Sequence, residues 1–422
     1  MPDIPVGAQI FDLVFHPTHS TVYTGLLTGQ VKAFAYDQSS YKSTFSLRPS
    51  KRSCRALTIN DDGSRLYAAG KGKAIHTIDT VTGDVVETRA GAHEDSINRL
   101  KHVMPWMFAT GDDAGVIKLW DPRQQDAIRT HKQHFDYITD FLWLQDKHHL
   151  LATSGDGTLS VMDVRSKKTE PFAHSEYQED ELLSATTIKG GAKVVVGTQL
   201  GILSIFNRSS GYGDCVDRVP GHPHSIDALC AVPQTIPNVD ASSTILTGSS
   251  DGFIRAVQVL PTKLIGIVAD HGEFPIERIA IGEGMERLSL ADEDEQVREK
   301  ADEEARGQGR WWVGSAGHDE ILRLTDLEEF FMKDHEQEAE GEDASENEGE
   351  DSDCGDDGAA EEDVVVKPPP EEEANPSESE AEDSDAPKAK KRKRKPEKDP
   401  LAVRRKKGKN EVDVAGAFFD GL

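Results

Sequence analysis

The sequence predicts an all-β fold, a seven-bladed β-propeller followed by a disordered C-terminal tail. Three observations carry the prediction. A small-residue segment, a turn and a short alternating strand recur seven times. An apolar phrase stands upstream of each copy at a near-constant distance. Charge beyond residue 335 collapses into two blocks of opposite sign.

The recurring segment is clearest from Thr110 to Asp121 (TGDDAGVIKLWD), again from Thr153 to Asp163, and from Thr247 to Val257. Weaker copies run from Gly29 to Phe34, Lys73 to Ile78, Gly201 to Phe206 and Glu320 to Thr325. Taken in order, the turn falls at Gly29, Lys73, Gly115, Gly157, Gly201, Gly252 and Glu320, at spacings of 44, 42, 42, 44, 51 and 68 residues. The upstream phrase is apolar at its first, fourth and sixth positions: Ile10/Leu13/Phe15, Cys54/Leu57/Ile59, Ile138/Phe141/Trp143, Ile226/Leu229/Ala231 and Ile276/Ile279/Ile281, with looser versions from Ile97 and Leu183. From its first residue to the last apolar position of the segment the distance is 24, 24, 23, 24 and 23 in the first five copies. It grows to 31 and 49 in the last two, which hold a Pro/Asn/Ser-rich stretch at 233–243 and a charged insertion at about 285–309.

Alternation over four to six residues fits half-buried strands, and Asp-Gly between two of them marks a tight hairpin because glycine accepts positive φ. A period near 42 carrying several strands matches one four-stranded propeller blade. The last copy lacks an evident outer strand after Asp326. Residues Asp3 to Val6 are expected to supply it from the N-terminus, since Pro2 and Pro5 lack a donor and suit only an edge. The propeller is therefore placed at 1–335.

Beyond it, residues 336–387 hold 23 acidic residues and one basic, a net of −22, and 388–409 hold 13 basic and two acidic, a net of +11. Such blocks cannot bury a core and read as disordered. Together they carry −11 of the chain's formal charge of −28; residues 1–335 carry 48 acidic and 34 basic residues, −14 net, of which Glu283 to Arg306 supplies −6. A ring this mildly acidic is expected to bind proteins and to leave RNA to the tail.

No basic segment followed by an apolar run opens the chain, and no stretch reaches the ~18 apolar residues of a membrane span, so a soluble chain with no membrane partner is expected. Cys54, Cys215, Cys230 and Cys354 are scattered without metal-ligand spacing, which points to a reducing compartment. His93, His134, His174, His222 and His271 precede inner strands and read as blade-linking or solvated. Lys189-Gly190-Gly191-Ala192 lacks the Lys-Ser/Thr ending of a phosphate loop and reads as a hairpin turn. With no triad order or metal spacing, neither enzyme activity nor a cofactor is expected.

The tail carries the addressing signals. Lys388, Lys390, Lys391, Arg392, Lys393, Arg394 and Lys395, then Arg404, Arg405, Lys406 and Lys407, read as a nuclear or nucleolar import signal of one or two parts, and as a polycation able to contact RNA. Ser345, Ser377 and Ser379 each have an acidic residue three positions on, a pattern for an acidophilic kinase. Residues 410–422 turn apolar again, and Phe418, Phe419 and Leu422 read as a short docking motif.

Leu119-Trp120-Asp121, the Gly221-His222 dipeptide and the Asp156-Gly157 and Asp251-Gly252 turns resemble WD-repeat β-propellers over about residues 10 to 326. Only Trp120 fills that family's Trp position; the other copies have Phe34, Ile78, Met162, Phe206, Val257 and Thr325. The resemblance implies a buried set of His, Ser/Thr, Asp and Trp in each blade, which is expected to be mostly degraded here. Asp121-Pro122-Arg123 and Asp163-Val164-Arg165 resemble the paired boxes with which WD-repeat proteins dock on the adaptor of cullin-4 ubiquitin ligases, with Arg123 and Arg165 on one rim.

The propeller beginning Ile10-Phe11-Asp12-Leu13, the acidic tail, the Lys/Arg cluster and the terminal Phe-Phe-x-x-Leu together resemble the WD repeat-containing protein 55 family, including its fungal nucleolar members. That resemblance implies a non-catalytic nucleolar scaffold in ribosome biogenesis, serving rRNA synthesis and large-subunit assembly. It would act as a monomer within a larger complex of pre-ribosomal proteins. The alternatives are a substrate receptor of a cullin-4-type ligase and a chromatin or histone adaptor.

Overall fold

The computed structural model describes residues 3–38, 40–284 and 310–333. Strand β1 (Asp3–Pro5) precedes six complete four-stranded antiparallel sheets. These are β2–β5 (Ile10–Phe15, Thr21–Leu26, Val31–Tyr36, Tyr41–Leu47), β6–β9 (Cys54–Ile59, Arg65–Gly70, Ile75–Asp79, Val85–Arg89) and β10–β13 (Ile97–Met104, Met107–Asp112, Ile117–Trp120, Ala127–His131). Next come β14–β17 (Ile138–Leu144, His149–Ser154, Leu159–Asp163, Ala173–His174), β18–β21 (Leu182–Ile188, Lys193–Thr198, Leu203–Asn207, Cys215–Val219) and β22–β25 (Ile226–Ala231, Thr244–Ser249, Phe253–Val259, Thr262–Asp270). The seventh sheet is β26 (Ile276–Gly284), β27 (Arg310–Gly317), β28 (Ile321–Asp326) and, at its outer edge, β1. Asp3, Ile4 and Pro5 face Arg323, Leu322 and Ile321, so the N-terminus closes the ring as the sequence predicts.

The seven expected turn residues all adopt the left-handed conformation, with φ between 57° and 86°. Five are glycine. Lys73 and Glu320 take the same conformation with a side chain, at a cost of about 1–2 kcal/mol each relative to ordinary backbone. The final positions of the recurring segment share one register in the first six blades, where Phe34, Ile78, Trp120, Met162, Phe206 and Val257 each lie opposite the second residue of the preceding strand; Thr325 faces Val313, the fourth residue of the longer β27.

Seven apolar clusters hold the ring, and each joins one blade to the next. Tyr67 and Ala69 of the second blade pack on Phe108 and Trp120 of the third, for example, and Ile4 and Leu322 of the seventh pack with Ile10 and Leu26 of the first. The rest follow the same rule around the circle. Burial of each such aliphatic side chain contributes about 1.5–3 kcal/mol.

Two expectations need correction. The fifth inner strand begins at Leu182, not Leu183: Leu182 is fully buried, and the register slips between it and Ser184. The Pro/Asn/Ser-rich 233–243 stretch packs on the ring. Ile236 is buried against Leu327 and Phe331 of a short helix, α1 at 327–333, which the strand periodicity did not announce. The second correction concerns the histidines, which are not simply linkers. His93 Nδ1 lies 2.7 Å from Asp112 Oδ2 and its Nε2 2.6 Å from Thr110 Oγ1, while Trp120 Nε1 donates to Thr110 Oγ1 at 2.8 Å.

His134 joins Asp156 and Ser160, and His271 joins Asp319 and Ser315, in the same manner. His222 keeps only Thr247, because Asp251 is taken by Arg255. His174 forms no such set. The buried network therefore survives in three blades although the Trp survives in one, because the His, hydroxyl and carboxylate satisfy one another without it. The charged 285–309 insertion and everything beyond 333 lie outside the described residues.

Candidate functional site

One irregularity repeats in all seven blades and builds the site. Each inner strand skips a residue in its pairing immediately after its first position. A bulge of this kind frees one side chain from the alternating pattern and re-aims it. The freed residues are Phe11, Arg55, Asn98, Thr139, Leu183, Asp227 and Glu277, and all seven line one cavity of about 390 Å³ at the mouth of the ring.

The mouth is electrostatically divided. On one side Arg55 donates to Asn98 Oδ1 at 2.7 Å and meets Asp113 at 3.2 Å. On the other, Tyr137 donates to Glu181 Oε2 at 2.6 Å, Glu277 meets His318 Nε2 at 2.6 Å, and Asp227 accepts from Ser225 Oγ at 2.9 Å. Burial, with the Glu277 charge beside it, pushes the Asp227 carboxyl up to about 6, so it is held ionised at neutral pH against its surroundings. Burial and the bond to Glu181 raise the Tyr137 phenol likewise. A cationic group entering the mouth would relieve both carboxylates.

Exposed apolar side chains flank the acidic side. Phe135, 95% exposed, and Tyr177 stand on connections into the fourth and fifth blades, Leu200 on a turn of the fifth, and Phe274 on the connection into the seventh. Carboxylates share these connections: Asp136, Glu176, Asp180 and Glu273. This combination of aromatic anchors and charge suits docking of a protein segment.

Below the mouth, the next residue of four inner strands, Asp12, Arg99, Asp140 and Arg278, is polar and gathers about the axis. Arg278 spans from Asp12 Oδ1 (3.1 Å) to Asp140 Oδ1 (3.2 Å), on blades at opposite sides of the ring. Burial opposes its charge, but the two aspartates outweigh it and raise its pKa. Asp12 and Asp140 also accept the Leu57 and Ala185 amides of the following blades, at 2.7 and 3.2 Å. Arg99 points to the same axis and donates to the Thr139 carbonyl. These groups form a polar plug rather than an open bore.

Arg123 and Arg165 lie at the far end, on neighbouring blades. Each folds back on the Asp two residues before it: Arg123 Nε at 2.8 Å from Asp121 Oδ1 and Arg165 Nε at 3.1 Å from Asp163 Oδ1. Both remain exposed, at 75% and 60%. The import signal, Ser345, Ser377, Ser379, Phe418, Phe419 and Leu422 fall outside the described residues. Among the described residues no group of three or more His, Cys, Asp and Glu is placed to hold a metal ion. No described helix is long and apolar enough to cross a membrane.

Sequence reasoning did not single out Asp227, Glu277, Tyr137 or Arg278. A signal was present: the mouth residues are the second position of each apolar phrase, and Asp12, Asp140 and Arg278 the third. Only the bulge, which no residue type announces, tells which of these positions faces the opening.

Comparison with known proteins agrees with this architecture. The family model described as WDR55 matches residues 1–298. A WD repeat-containing protein JIP5 from Laccaria bicolor is 57% identical over the whole of both chains. Another from Coprinopsis cinerea is 60% identical over 79% of this chain and 76% of its own. The WD repeat-containing protein 55 of Arabidopsis thaliana is 34% identical over 78% of this chain and 83% of its own.

Proposed function

The chain belongs to the WDR55 family, and from that premise we propose that it is a non-catalytic nucleolar scaffold in ribosome biogenesis. It would hold pre-ribosomal proteins that serve rRNA synthesis and large-subunit assembly, as a monomer within a larger complex. The observation that carries the reading is the mouth. Seven bulged residues converge on a cavity with half-buried carboxylates on one side, bordered by exposed Phe135, Tyr177 and Leu200, and this suits a basic segment of a partner protein. The cluster from Lys388 to Lys395 supports the nuclear and nucleolar address, and with it an RNA contact by the tail.

The test is affinity purification with mass spectrometry from cells carrying the unaltered protein or the Asp227→Asn, Glu277→Gln pair. The unaltered protein is expected to recover pre-ribosomal proteins and the pair to lose most of them. Recovery of histones instead would favour the chromatin reading. Neutralising Lys388 to Lys395 is expected to disperse the protein from the nucleolus, and unchanged localisation would remove the address from the proposal.

The matched geometry of Arg123 and Arg165 on one rim favours a second reading, docking on a cullin-4 ligase adaptor. Adaptor capture that survives Arg123→Ala with Arg165→Ala would sink it.

A further inference from the structure

Residues 38–60 and 63–78 contain no Asp or Glu, although 76 of the 422 residues are acidic. Five cations of these stretches gather at the mouth end of the first two blades, whereas Lys42 and Arg65 lie at the far end. Arg48, Lys51 and Arg52 stand on the connection between the blades, and Lys71 and Lys73 on the adjoining turn of the second. The two loops pack together: Lys71 N donates to the Ser53 carbonyl at 3.1 Å, and a Cβ on Gly72 would lie 3.0 Å from Ser50 Oγ. Arg48 Nε is fixed on the Thr28 carbonyl at 3.0 Å, which ties in the uncharged turn of the first blade.

All five side chains belong to exposed residues, and Arg48, Lys51, Arg52 and Lys71 have no carboxylate within ion-pair distance among the described residues. Lys73 Nζ donates to the Glu94 carbonyl and lies 3.7 Å from the exposed Asp95. It also occupies a left-handed turn position where five other blades have glycine, so a cation stands there despite the strain.

From these observations we propose that the mouth-end surface formed by Arg48, Lys51, Arg52, Lys71 and Lys73 binds the phosphodiester backbone of RNA. Unpaired cations on a chain of net charge −28 face strong competition from its own carboxylates, and here the local sequence excludes them. Apolar anchors are sparse: Leu27 is the one large exposed apolar side chain in these loops, whereas Phe135, Tyr177, Leu200 and Phe274 all stand on other sectors of the same face. An acidic protein segment would need such anchors for grip. A phosphate backbone is held by charge and counterion release alone. The ring would then contact RNA directly, beside the tail rather than through it, and next to the acidic sector assigned above to a protein. Because the patch shares no residue with that sector, its failure would leave the protein-docking reading untouched.

The test uses the full chain and a fluorescent single-stranded RNA of mixed sequence, with anisotropy measured across a range of KCl. The ring variant is Lys51→Gln, Arg52→Gln, Lys71→Gln and Lys73→Gly, made with the tail basic cluster intact and neutralised. In both backgrounds affinity is expected to fall at least about tenfold at moderate salt, and the slope of log K against log salt to shrink by about 2–3. Lys51→Arg with Lys71→Arg should keep the parent slope, and single Arg52→Gln or Lys71→Gln variants should each lower it by about 0.7 should the multiple variant fail to fold. Unchanged slopes in both backgrounds would overturn the proposal. So would a ring variant that weakens binding of a polyglutamate peptide and leaves RNA binding as it was.

Discussion

At the scale of single residues, buried polar groups are satisfied in sets, and each set has a weak point. Thr110 Oγ1 serves both His93 and Trp120. Thr110→Val keeps the shape and leaves two buried donors or acceptors unmet, so urea unfolding should show a loss of about 1–3 kcal/mol. The loss should be smaller at Thr247, where only His222 depends on the hydroxyl. Asp227 behaves in the opposite sense. Burial raises its folded pKa to about 6, above its unfolded value of 3.8, so the folded chain holds that proton more tightly. The resulting stabilisation is complete below about pH 4 and is lost as pH rises through 6. Asp227→Asn should therefore raise the melting temperature at pH 7.5 and change it little at pH 4. An equal shift at both pH values would contradict that environment.

At the scale of elements, the inner-strand bulge and the closing strand matter most. The bulge turns a plain apolar phrase into a strand whose first residue packs, whose second reaches the mouth and whose third, in four blades, reaches the axis. A one-residue slip explains why Leu183 looked like the start of its strand: it is apolar, but it occupies the mouth position. Closure rests on three residues of β1 together with buried Ile4 and Val6. Removing residues 1–6 would expose the edge of β28 and release two buried aliphatic side chains worth about 1.5–3 kcal/mol each. A drop of at least about 3 kcal/mol is expected in equilibrium unfolding, with Ile4→Ala alone costing about 2–4 kcal/mol as a cavity mutation.

At the scale of the whole molecule, Arg278 joins blades that no apolar cluster joins. It sits in the seventh blade and ties Asp12 of the first to Asp140 of the fourth across the axis. Arg278→Met would leave two buried carboxylates without their cation, an expected cost of about 3–5 kcal/mol. Adding Asp12→Asn and Asp140→Asn should recover much of it, since the two neutral amides can still accept the Leu57 and Ala185 amide hydrogens. Failure of the triple variant to recover would mean that the plug matters through shape rather than charge.

The sequence by itself determined the number of blades, the strand that closes the ring, the seven left-handed turns and the two oppositely charged blocks beyond it. These features repeat or accumulate along the chain, and hydrophobic period and local turn chemistry are written residue by residue. Only the tertiary structure decided which side chains meet. The His sets join residues up to 48 positions apart, Arg278 reaches an aspartate 266 positions away, and the mouth draws one residue from each of seven blades. The same holds for charge. Averaged over 335 residues the ring looked mildly acidic, but packing two adjacent loops brings five cations onto one sector and gathers carboxylates on another, because electrostatic interaction follows distance in space and not position in the chain.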